Sequence, residues 1–524
     1  MQTSGAESTE DDGAVSARAR RLVIAGLMLA LMLPSLDLLV VSTAGKAIAD
    51  DIGKLSQLSW LFISYQLTLV AFMPLFGKLG DIYGRKRTIQ SSIVLFVVAS
   101  VFTGLATNFP MLVLGRALQG VGGGGISGLS QAVIADIVPP RHRGRYAWIT
   151  PTVFTVVSML GPLLGGLFVD HLSWRWIFFV NLPLGIIAWF FIAVAFQVPV
   201  NRVRHQVDLF GALLLVVAVS AIVFAASTAG EQFAWTSPVI IGMTAGGLAV
   251  GAFFVLFETR TAEPVFPLKL LRDPLIRVCT ATTFFIGSAN FGLAIFLPLF
   301  LQVVSGASAT QAGFSLMPTS IGIIISSAIV GRSISKNGRY RWYPLIGMII
   351  FSGAIFQISL LNRGSPQWHA WVATFLTGVG SGTASPVLMV AVQNSVRHDD
   401  VGVASSLAMF CRTMGQVLGP AFATTLWITR FDSNVRRLVP ADTLATLDIE
   451  DLRNNSETIK GLAEPTHTQV VESLRLGINS TFRFAAALSA VGIITSLFMQ
   501  SRPLRGTIRE SSTSDQAVAP ARTP

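Results

Sequence analysis

The chain alternates long apolar runs with short polar connections. Each run is roughly 18 to 25 residues long, which is enough for a helix to cross a hydrocarbon core of about 30 Å. The pattern predicts an all-α membrane protein with fourteen transmembrane helices and both termini on one side. The runs lie near 21–45, 57–77, 88–107, 110–135, 146–169, 175–198, 208–228, 238–257, 275–304, 310–331, 342–361, 369–393, 402–428 and 481–500.

The composition excludes an ordinary soluble globule. Hydrophobic residues make up 52% of the chain and charged residues only 12%, whereas a soluble domain is about a quarter charged. The net charge of +11 would suggest nucleic acid or anionic lipid as a partner, but the basic residues lie where a cytoplasmic membrane face needs them. We therefore expect no nucleic-acid partner. Cys279 and Cys411 both lie in apolar runs, so neither a disulfide framework nor a metal site is predicted.

The basic residues also predict the orientation. The short loops on one side carry few of them, and most of the others fall in the termini and in the loops of the opposite side. Because cytoplasmic loops are enriched in Lys and Arg, we expect a multi-pass protein of the cytoplasmic membrane with both termini in the cytoplasm. The basic residues of the short outer loops are Lys46, Lys54, Arg175 and Arg363.

Three sequence patterns occur twice, in the same order and at nearly constant separation. They predict two homologous six-helix bundles arranged as parallel repeats, with two further helices inserted between them. The repeated patterns begin at Gly77 and Gly331, at Leu118 and Leu376, and at Gly161 and Gly419.

The predicted domain organisation follows from these repeats. Residues 1–20 form a disordered cytoplasmic tail, 21–200 the N-terminal bundle, 201–260 the inserted pair, 261–500 the C-terminal bundle, and 501–524 a second disordered cytoplasmic tail. Within the C-terminal bundle, segment 429–480 lies outside the membrane and is either a small extracytoplasmic cap or a mobile loop.

One acidic residue, Asp37, lies in the interior of a predicted span. Acids at membrane depth are functional or paired, and a carboxyl group there can be tuned to exchange protons near neutral pH. Asp37 lies roughly 24 Å along its span from Arg21, and Arg116 roughly 9 Å inward from Pro110, so the two depths match. The alternatives are an Asp37 held permanently ionised, and an Arg116 that snorkels outward or binds backbone carbonyls.

A charged hairpin connects the second and third runs. It extends from Gly77 to Arg87 with the sequence GKLGDIYGRKR, and it resembles the signature loop of the major facilitator superfamily. The resemblance implies a cytoplasmic gate formed by Gly77, Asp81, Gly84 and Arg85, with Asp81 near the N-terminus of a helix in the other half. Asp136 lies at the inner end of the fourth span, at the level of Arg85. A role of the basic residues in topology alone is compatible with the same pattern.

Further motifs resemble the fourteen-helix drug:proton antiporter subgroup of that superfamily, the bacterial multidrug efflux type. GRALQGVGGG from Gly115 is similar to a motif whose arginine is implicated in proton transfer. LDLLVVS from Leu36 resembles the span-one motif of the subgroup, with departures at Leu39, Ser42 and Lys46. The fifth span resembles the antiporter motif, although Val157 replaces a glycine. The residues of that antiporter motif are Gly161, Pro162, Gly165 and Gly166.

Arg412 lies in the interior of the thirteenth span. It either pairs with Asp81 in one state or faces the cavity as a substrate or counter-ion group. We see no intramembrane acid in the later spans, so a hydrophobic, neutral, anionic or monovalent substrate is favoured. The candidate cavity residues are Tyr65, Gln66, Asn290, Phe291, Phe314 and Arg412.

We therefore predict a secondary antiporter that exports hydrophobic small molecules such as drugs, dyes or antibiotics in exchange for protons. No phosphate-binding loop and no nucleophile constellation indicate a primary pump or an enzyme. The expected partners are the substrate, protons as coupling ion, and membrane lipid, with no cofactor and a monomeric protein. Two alternatives remain: an exporter of one metabolite, lipid or siderophore, and a non-transporting membrane receptor or scaffold.

Overall fold

In the computed structural model, every regular element of the described residues is a helix, and the one isolated β-type pairing joins Ala229 and Phe233. The structure describes residues 17–52, 59–138, 146, 149–196, 208–230, 233–261, 268–307, 309–397, 400–444, 447–449, 452, 458–459 and 461–503.

The helices of the first part of the chain follow the apolar runs closely. Asn108 caps the fourth by accepting the Met111 N–H at 2.9 Å, with Pro110 in the first turn, where a missing N–H costs nothing. The helices are α1 (Ala17–Ile52), α2 (Ser59–Tyr83), α3 (Arg85–Gly104), α4 (Phe109–Ile137), α5 (Ile149–His171), α6 (Trp176–Phe179) and α7 (Asn181–Ala195).

The remaining helices begin with the pair predicted as an insertion. Asp208, Ser237 and Asp273 cap three of them with their side chains. They are α8 (Leu209–Thr228), α9 (Pro238–Glu258), α10 (Pro274–Leu299), α11 (Ala309–Phe314), α12 (Met317–Asn337), α13 (Trp342–Ile358), α14 (Gln367–Asn394), α15 (Val401–Leu438), α16 (Ala441–Leu444) and α17 (Thr466–Leu497), with a 3-10 turn at Leu268–Arg272 and a π-helix at Phe300–Val304.

Ten helices of the described residues are long and apolar enough to cross a membrane, and α13 is a shorter apolar helix. The chain is therefore a multi-pass membrane protein. The exact number of fourteen spans stays a prediction. Helix α9 leaves most of its apolar surface exposed, as expected of a helix that faces lipid.

Helix pairs of the first part recur in the second part. Helix α4 packs against α2 and α3, as α14 packs against α12 and α13; α1 packs against α5 and α7, as α10 packs against α15 and α17. The inserted α8 contacts α9 and also both α2 and α15. The parallel repeat and the domain boundaries stay predictions, but the first inserted helix lies against both parts of the chain.

Helices α15 and α17 extend well beyond the predicted spans. Helix α15 has 38 residues, which is roughly 57 Å at 1.5 Å per residue. The extended ends share an apolar core that includes Phe431, Val435, Val470 and Leu474. Both ends of segment 429–480 are thus helical and packed, which favours the cap over the mobile loop.

The predicted disordered tails need correction at their inner edges. Helix α1 already includes residues 17–20. At the other end, the Arg502 guanidinium donates to both carboxylate oxygens of Asp273 at 2.7 and 2.8 Å, and Asn394 Nδ2 donates to the Pro503 carbonyl at 3.0 Å. These contacts hold the chain against the second part of the protein. Residues 1–16 and 504–524 lie outside the described residues.

Gly122 sets the distance between α3 and α4. A Cβ at this position would lie 2.7 Å from the backbone nitrogen of Phe96 and 2.9 Å from its Cα, and backbone atoms cannot move aside cheaply. We expect Gly122→Ala to lower the melting temperature of the detergent-purified protein, because overpacking costs about 1–3 kcal/mol. Gly246→Ala is the matched control, since its Cβ would meet nothing within 4 Å. Equal melting temperatures for the two variants would contradict the close approach.

Candidate functional site

Asp37 and Arg116 form a buried ion pair between α1 and α4. The two side chains are fully buried, and Arg116 Nη1 donates directly to Asp37 Oδ2. Removing two charges from water costs several kcal/mol per ion unless further hydrogen bonds satisfy both groups. The pair therefore requires polar support from the helices around it.

Three neutral side chains provide this support, and sequence reasoning assigned none of them to the site. Gln119 Nε2 donates to Asp37 Oδ1 at 3.0 Å and to Ser100 Oγ at 2.7 Å, while its Oε1 accepts from Arg116 Nη1 at 3.0 Å. Asn181 Nδ2 lies 3.3 Å from Asp37 Oδ1 and 3.2 Å from Ser100 Oγ. The network thus joins α1, α3, α4 and α7. The spacing of Arg116 and Gln119 by three residues on one helical face was the available signal for Gln119.

Helix α2 holds the other side of Arg116. The guanidinium carbon lies 4.4 Å from the centroid of the Tyr65 ring, and Arg116 Nε donates to the Leu61 carbonyl at 3.2 Å. Tyr65 in turn donates its hydroxyl to the Pro34 carbonyl at 3.2 Å. Tyr65, predicted to line the substrate cavity, is fully buried in this conformation and stacks on the cation, as aromatic faces do.

The antiporter motif lies on α5, beside the helix that carries Asp37. A Cβ on Gly161 would lie 2.9 Å from Leu39 Cβ, so this glycine permits α5 to approach α1. Gly165 is buried, and a Cβ on Gly166 would meet nothing within 4 Å. The Pro162 side chain lies outside the described residues.

Asp81 contacts the N-terminus of α15. Its carboxylate accepts the N–H groups of Gly402 at 3.1 Å and Val403 at 2.8 Å. Arg85 donates to Asp81 at 3.0 Å and forms a second ion pair with Asp136. A helix N-terminus favours an anion, so this cluster connects α2, α3 and α4 to the second part of the chain.

Two glycines permit this junction. A Cβ on Gly77 would collide with the Ser406 hydroxyl, and one on Gly402 would collide with the Asp81 carboxylate. Gly84 has a φ of +90° and precedes α3, a conformation that other residues rarely adopt. Nearby, Gln393 Nε2 donates to the Gln131 carbonyl at 3.2 Å. The two parts of the chain are therefore in direct contact at this end of the bundle.

Within the described part of the chain, no hydrogen bond or ion pair joins the other predicted cavity residues to one another. Arg412 is half-buried, and within the described part of the chain it makes no hydrogen bond or ion pair; Asp81 pairs instead with Arg85. Gln66 and Asn290 are half-buried, and Phe314 is 53% exposed. The Phe291 side chain lies outside the described residues.

A fourth acidic residue, Asp51, lies at the C-terminal end of α1. Asp51 Oδ2 accepts from Trp174 Nε1 at 3.0 Å and from Arg175 Nη1 at 2.8 Å. The hydrogen bond from Trp174, followed by that from Arg175, holds the pKa of the Asp51 carboxyl below its usual value. Asp51 is exposed, so its environment differs from that of Asp37 on the same helix.

The family model of the Major Facilitator Superfamily matches residues 24–420. The uncharacterized MFS-type transporter Rv1877 of Mycobacterium tuberculosis (strain ATCC 25618 / H37Rv) is 33% identical over 93% of this chain and 70% of its own length. Multidrug resistance protein 3 of Bacillus subtilis (strain 168) is 30% identical over 91% of this chain and 95% of its own length.

A solved structure shows the same fold. The human organic anion transporter MFSD10 aligns with a TM-score of 0.60 at 14% sequence identity, over 91% of this chain and 99% of that protein. This similarity concerns the fold alone. From the family match and the two sequence relatives, the chain belongs to the Major Facilitator Superfamily and is a transporter, not an enzyme.

Proposed function

We propose that the protein is a proton-coupled antiporter of the cytoplasmic membrane that exports hydrophobic small molecules by alternating access. The observation that carries this proposal is the buried pair of Asp37 and Arg116, because an ionisable group at membrane depth marks a proton or substrate pathway. The name of the relative Multidrug resistance protein 3 supports the substrate class. We further propose that the protein is a monomer with fourteen spans and cytoplasmic termini.

Protonation of Asp37 would change the network around it. The ionised carboxylate accepts from Arg116, Gln119 and Asn181, and each of these hydrogen bonds weakens when the charge is lost. The positive charge of Arg116 would then no longer be balanced by a carboxylate, although α2 still contacts the guanidinium through Leu61 and Tyr65. Its Nη2 is buried without a hydrogen-bond partner among the described residues. Arg116 is thus ready to take a water or an anion in place of Asp37.

The Asp81 cluster is the proposed cytoplasmic gate. In this conformation the carboxylate holds the N-terminus of α15, which supports a closed inner side and an outward-facing or occluded conformation. Opening to the cytoplasm would require these hydrogen bonds to break. A rigid-body movement of the two halves, common in transporters, would break them together.

The substrate would bind mainly by burial of apolar surface, which gains about 25 cal/mol per Å² and is permissive about shape. Asn290, Phe291 and Phe314 remain proposed contacts in the second half, with Gln66 in the first. Arg412 is the proposed cationic group near them, because it is half-buried and makes no ion pair within the described residues. This combination suits hydrophobic molecules that are neutral, anionic or monovalent.

The proton site is tested with Asp37→Asn, which keeps the shape of the side chain but cannot release a proton. We expect it to reduce substrate movement driven by an imposed pH gradient in proteoliposomes to the level of protein-free vesicles. The probes are a cationic, a neutral and an anionic fluorescent dye, chosen as those that the wild-type protein moves. Asp51→Asn is the matched control, because Asp51 lies on the same helix but is exposed. This variant should move the dyes at the wild-type rate.

The interpretation of this experiment depends on the wild-type protein as well as on the variant. Unchanged gradient-driven transport by Asp37→Asn would remove Asp37 from the coupling role. A wild-type protein that moves dyes at the same rate without a pH gradient would instead contradict proton coupling as such.

The gate is tested with Asp81→Asn in a protein that also carries a reporter cysteine at the buried Ser406. The measurement is the rate at which a membrane-impermeant maleimide labels this cysteine from the cytoplasmic side. Cys279 and Cys411 are first replaced by alanine. Hydrogen bonds to a charged group contribute about 1.5–3 kcal/mol, so we expect the inward-open population and the labelling rate to rise about tenfold or more.

Asp400→Asn is the control for the gate. Asp400 lies immediately before α15, and among the described residues its side chain forms only an exposed pair with Arg397 at 3.4 Å. The labelling rate of the Asp400→Asn variant should therefore match that of the parent protein. Equal rates for the Asp81 and Asp400 variants would show that Asp81 does not hold the inner side closed.

A further inference from the structure

Every hydrogen-bond partner of the Asp37 side chain among the described residues is a donor. Arg116 donates to Oδ2, and the amides of Gln119 and Asn181 donate to Oδ1. This arrangement suits the ionised carboxylate, which only accepts hydrogen bonds. A protonated carboxyl group carries an O–H that itself requires an acceptor, and at this depth an unsatisfied donor is costly.

Gln119 cannot provide that acceptor without losing another contact. Its Oε1 accepts from Arg116 Nη1 at 3.0 Å, while its Nε2 donates to Asp37 and Ser100. Reversing the amide would place an NH₂ group against the guanidinium, and both groups only donate. The orientation of Gln119 is therefore fixed by the permanent charge of Arg116.

Asn181 is bound differently. Its Nδ2 donates to Asp37 at 3.3 Å and to Ser100 at 3.2 Å, but its Oδ1 is buried without a partner among the described residues. Rotation of this amide by half a turn would break no hydrogen bond at Oδ1, although it would move the N–H donors of Nδ2 to the position where Oδ1 now has no partner among the described residues. The Ser100 hydroxyl tolerates either orientation, because a hydroxyl both donates and accepts; here it donates to the Phe96 carbonyl at 2.8 Å.

We propose that Asn181 is a positioning residue whose amide reverses with the protonation of Asp37. In the ionised state, Nδ2 donates to the carboxylate as in the structure. In the protonated state, the carboxyl O–H donates to Oδ1, and the Ser100 hydroxyl adjusts. This inference rests on the proposed function only in that Asp37 takes up and releases a proton.

The other ionisable groups around Asp37 do not provide this acceptor. Arg116 of α4 is a permanent donor, and the Tyr65 hydroxyl of α2 donates to the Pro34 carbonyl. Helix α3 contributes Ser100 and α7 contributes Asn181. Helix α5 carries its titratable residues, Asp170 and His171, at its outer end, and Arg175 before α6 pairs with Asp51. Among the described groups that face Asp37, Asn181 is thus the neutral amide that is free to turn.

The test is an infrared pH titration of the purified protein, which detects the carbonyl stretch of the protonated Asp37 carboxyl and needs no substrate. The signal is assigned by its loss in Asp37→Asn. In Asn181→Leu, the ionised carboxylate loses the long hydrogen bond from Nδ2 at 3.3 Å but keeps Arg116 and Gln119 as donors. The protonated acid loses its one acceptor, and a buried donor without an acceptor is the larger loss. We therefore expect the midpoint of the titration to move about one pH unit lower, a tenfold change in the protonation equilibrium.

The direction of the movement decides between two roles. If Asn181 only donates to the carboxylate, its removal destabilises the ionised form and moves the midpoint higher. A higher or unchanged midpoint would therefore overturn the inference. Should Asn181→Leu fail to fold, Asn181→Val, which lacks the same amide and is smaller, is measured instead with the same expectation.

Asn479→Leu is the matched control. Asn479 is also buried, donates Nδ2 to the Leu361 carbonyl at 3.0 Å and has an Oδ1 without a partner among the described residues. It lies on α17, away from Asp37, so its substitution should leave the midpoint unchanged. If it moved the midpoint as far as Asn181→Leu does, the effect would reflect a general loosening of the protein and the inference would fail. The titration needs no substrate, so it can be interpreted even if the protein moves none of the dyes. The two proposals can therefore fail independently of each other.

Discussion

The buried ion pair of Asp37 and Arg116 constrains how the first half of the molecule packs. Two charges at this depth require hydrogen bonds from all sides, and α1 alone cannot provide them. Helices α2, α3, α4 and α7 therefore meet around the pair, each contributing one or two polar groups. Small residues on α4, such as Gly120 against the Tyr65 backbone, let these helices approach closely enough for side-chain contact.

Two of these helices also carry the proposed gate. Helix α4 holds Arg116 in its N-terminal part and Asp136 near its C-terminal end, and α2 holds Tyr65 and Asp81 in the same order. Asp136 follows Arg116 by 20 positions, which correspond to roughly 30 Å of continuous helix. Helices of this length move as bodies, so a displacement at the ion pair reaches the junction with α15 without a chain of side-chain rearrangements. Under the proposed mechanism, this is the physical link between proton uptake and opening.

The sequence predicted some of this and not the rest, for identifiable reasons. The contact between Asp37 and Arg116 follows from charge and from the fixed rise of a helix, which set both depths. The Asp81 contact with α15 came from the resemblance of the hairpin at Gly77–Arg87. Ser100 and Asn181 gave no signal, because neutral polar residues are common in membrane helices and only the tertiary fold shows where they point. The extension of α15 beyond its predicted span was missed because its C-terminal part lacks a long apolar run.

The second half repeats the helix pairings of the first but not its chemistry. Helices α12, α13 and α14 pack as α2, α3 and α4 do. Asn394, however, occupies the place in the repeat that Asp136 has in the first half, and its neutral amide donates to the Pro503 carbonyl. Arg412 makes no ion pair in the described residues. The charge that changes in the proposed cycle therefore lies in one half alone. Under the proposed mechanism, the other half responds across the interface, where Asp81, from the half that carries the proposed proton site, holds the N-terminus of α15. The proposed closure of the inner side thus depends on both halves, although the proposed proton site belongs to one.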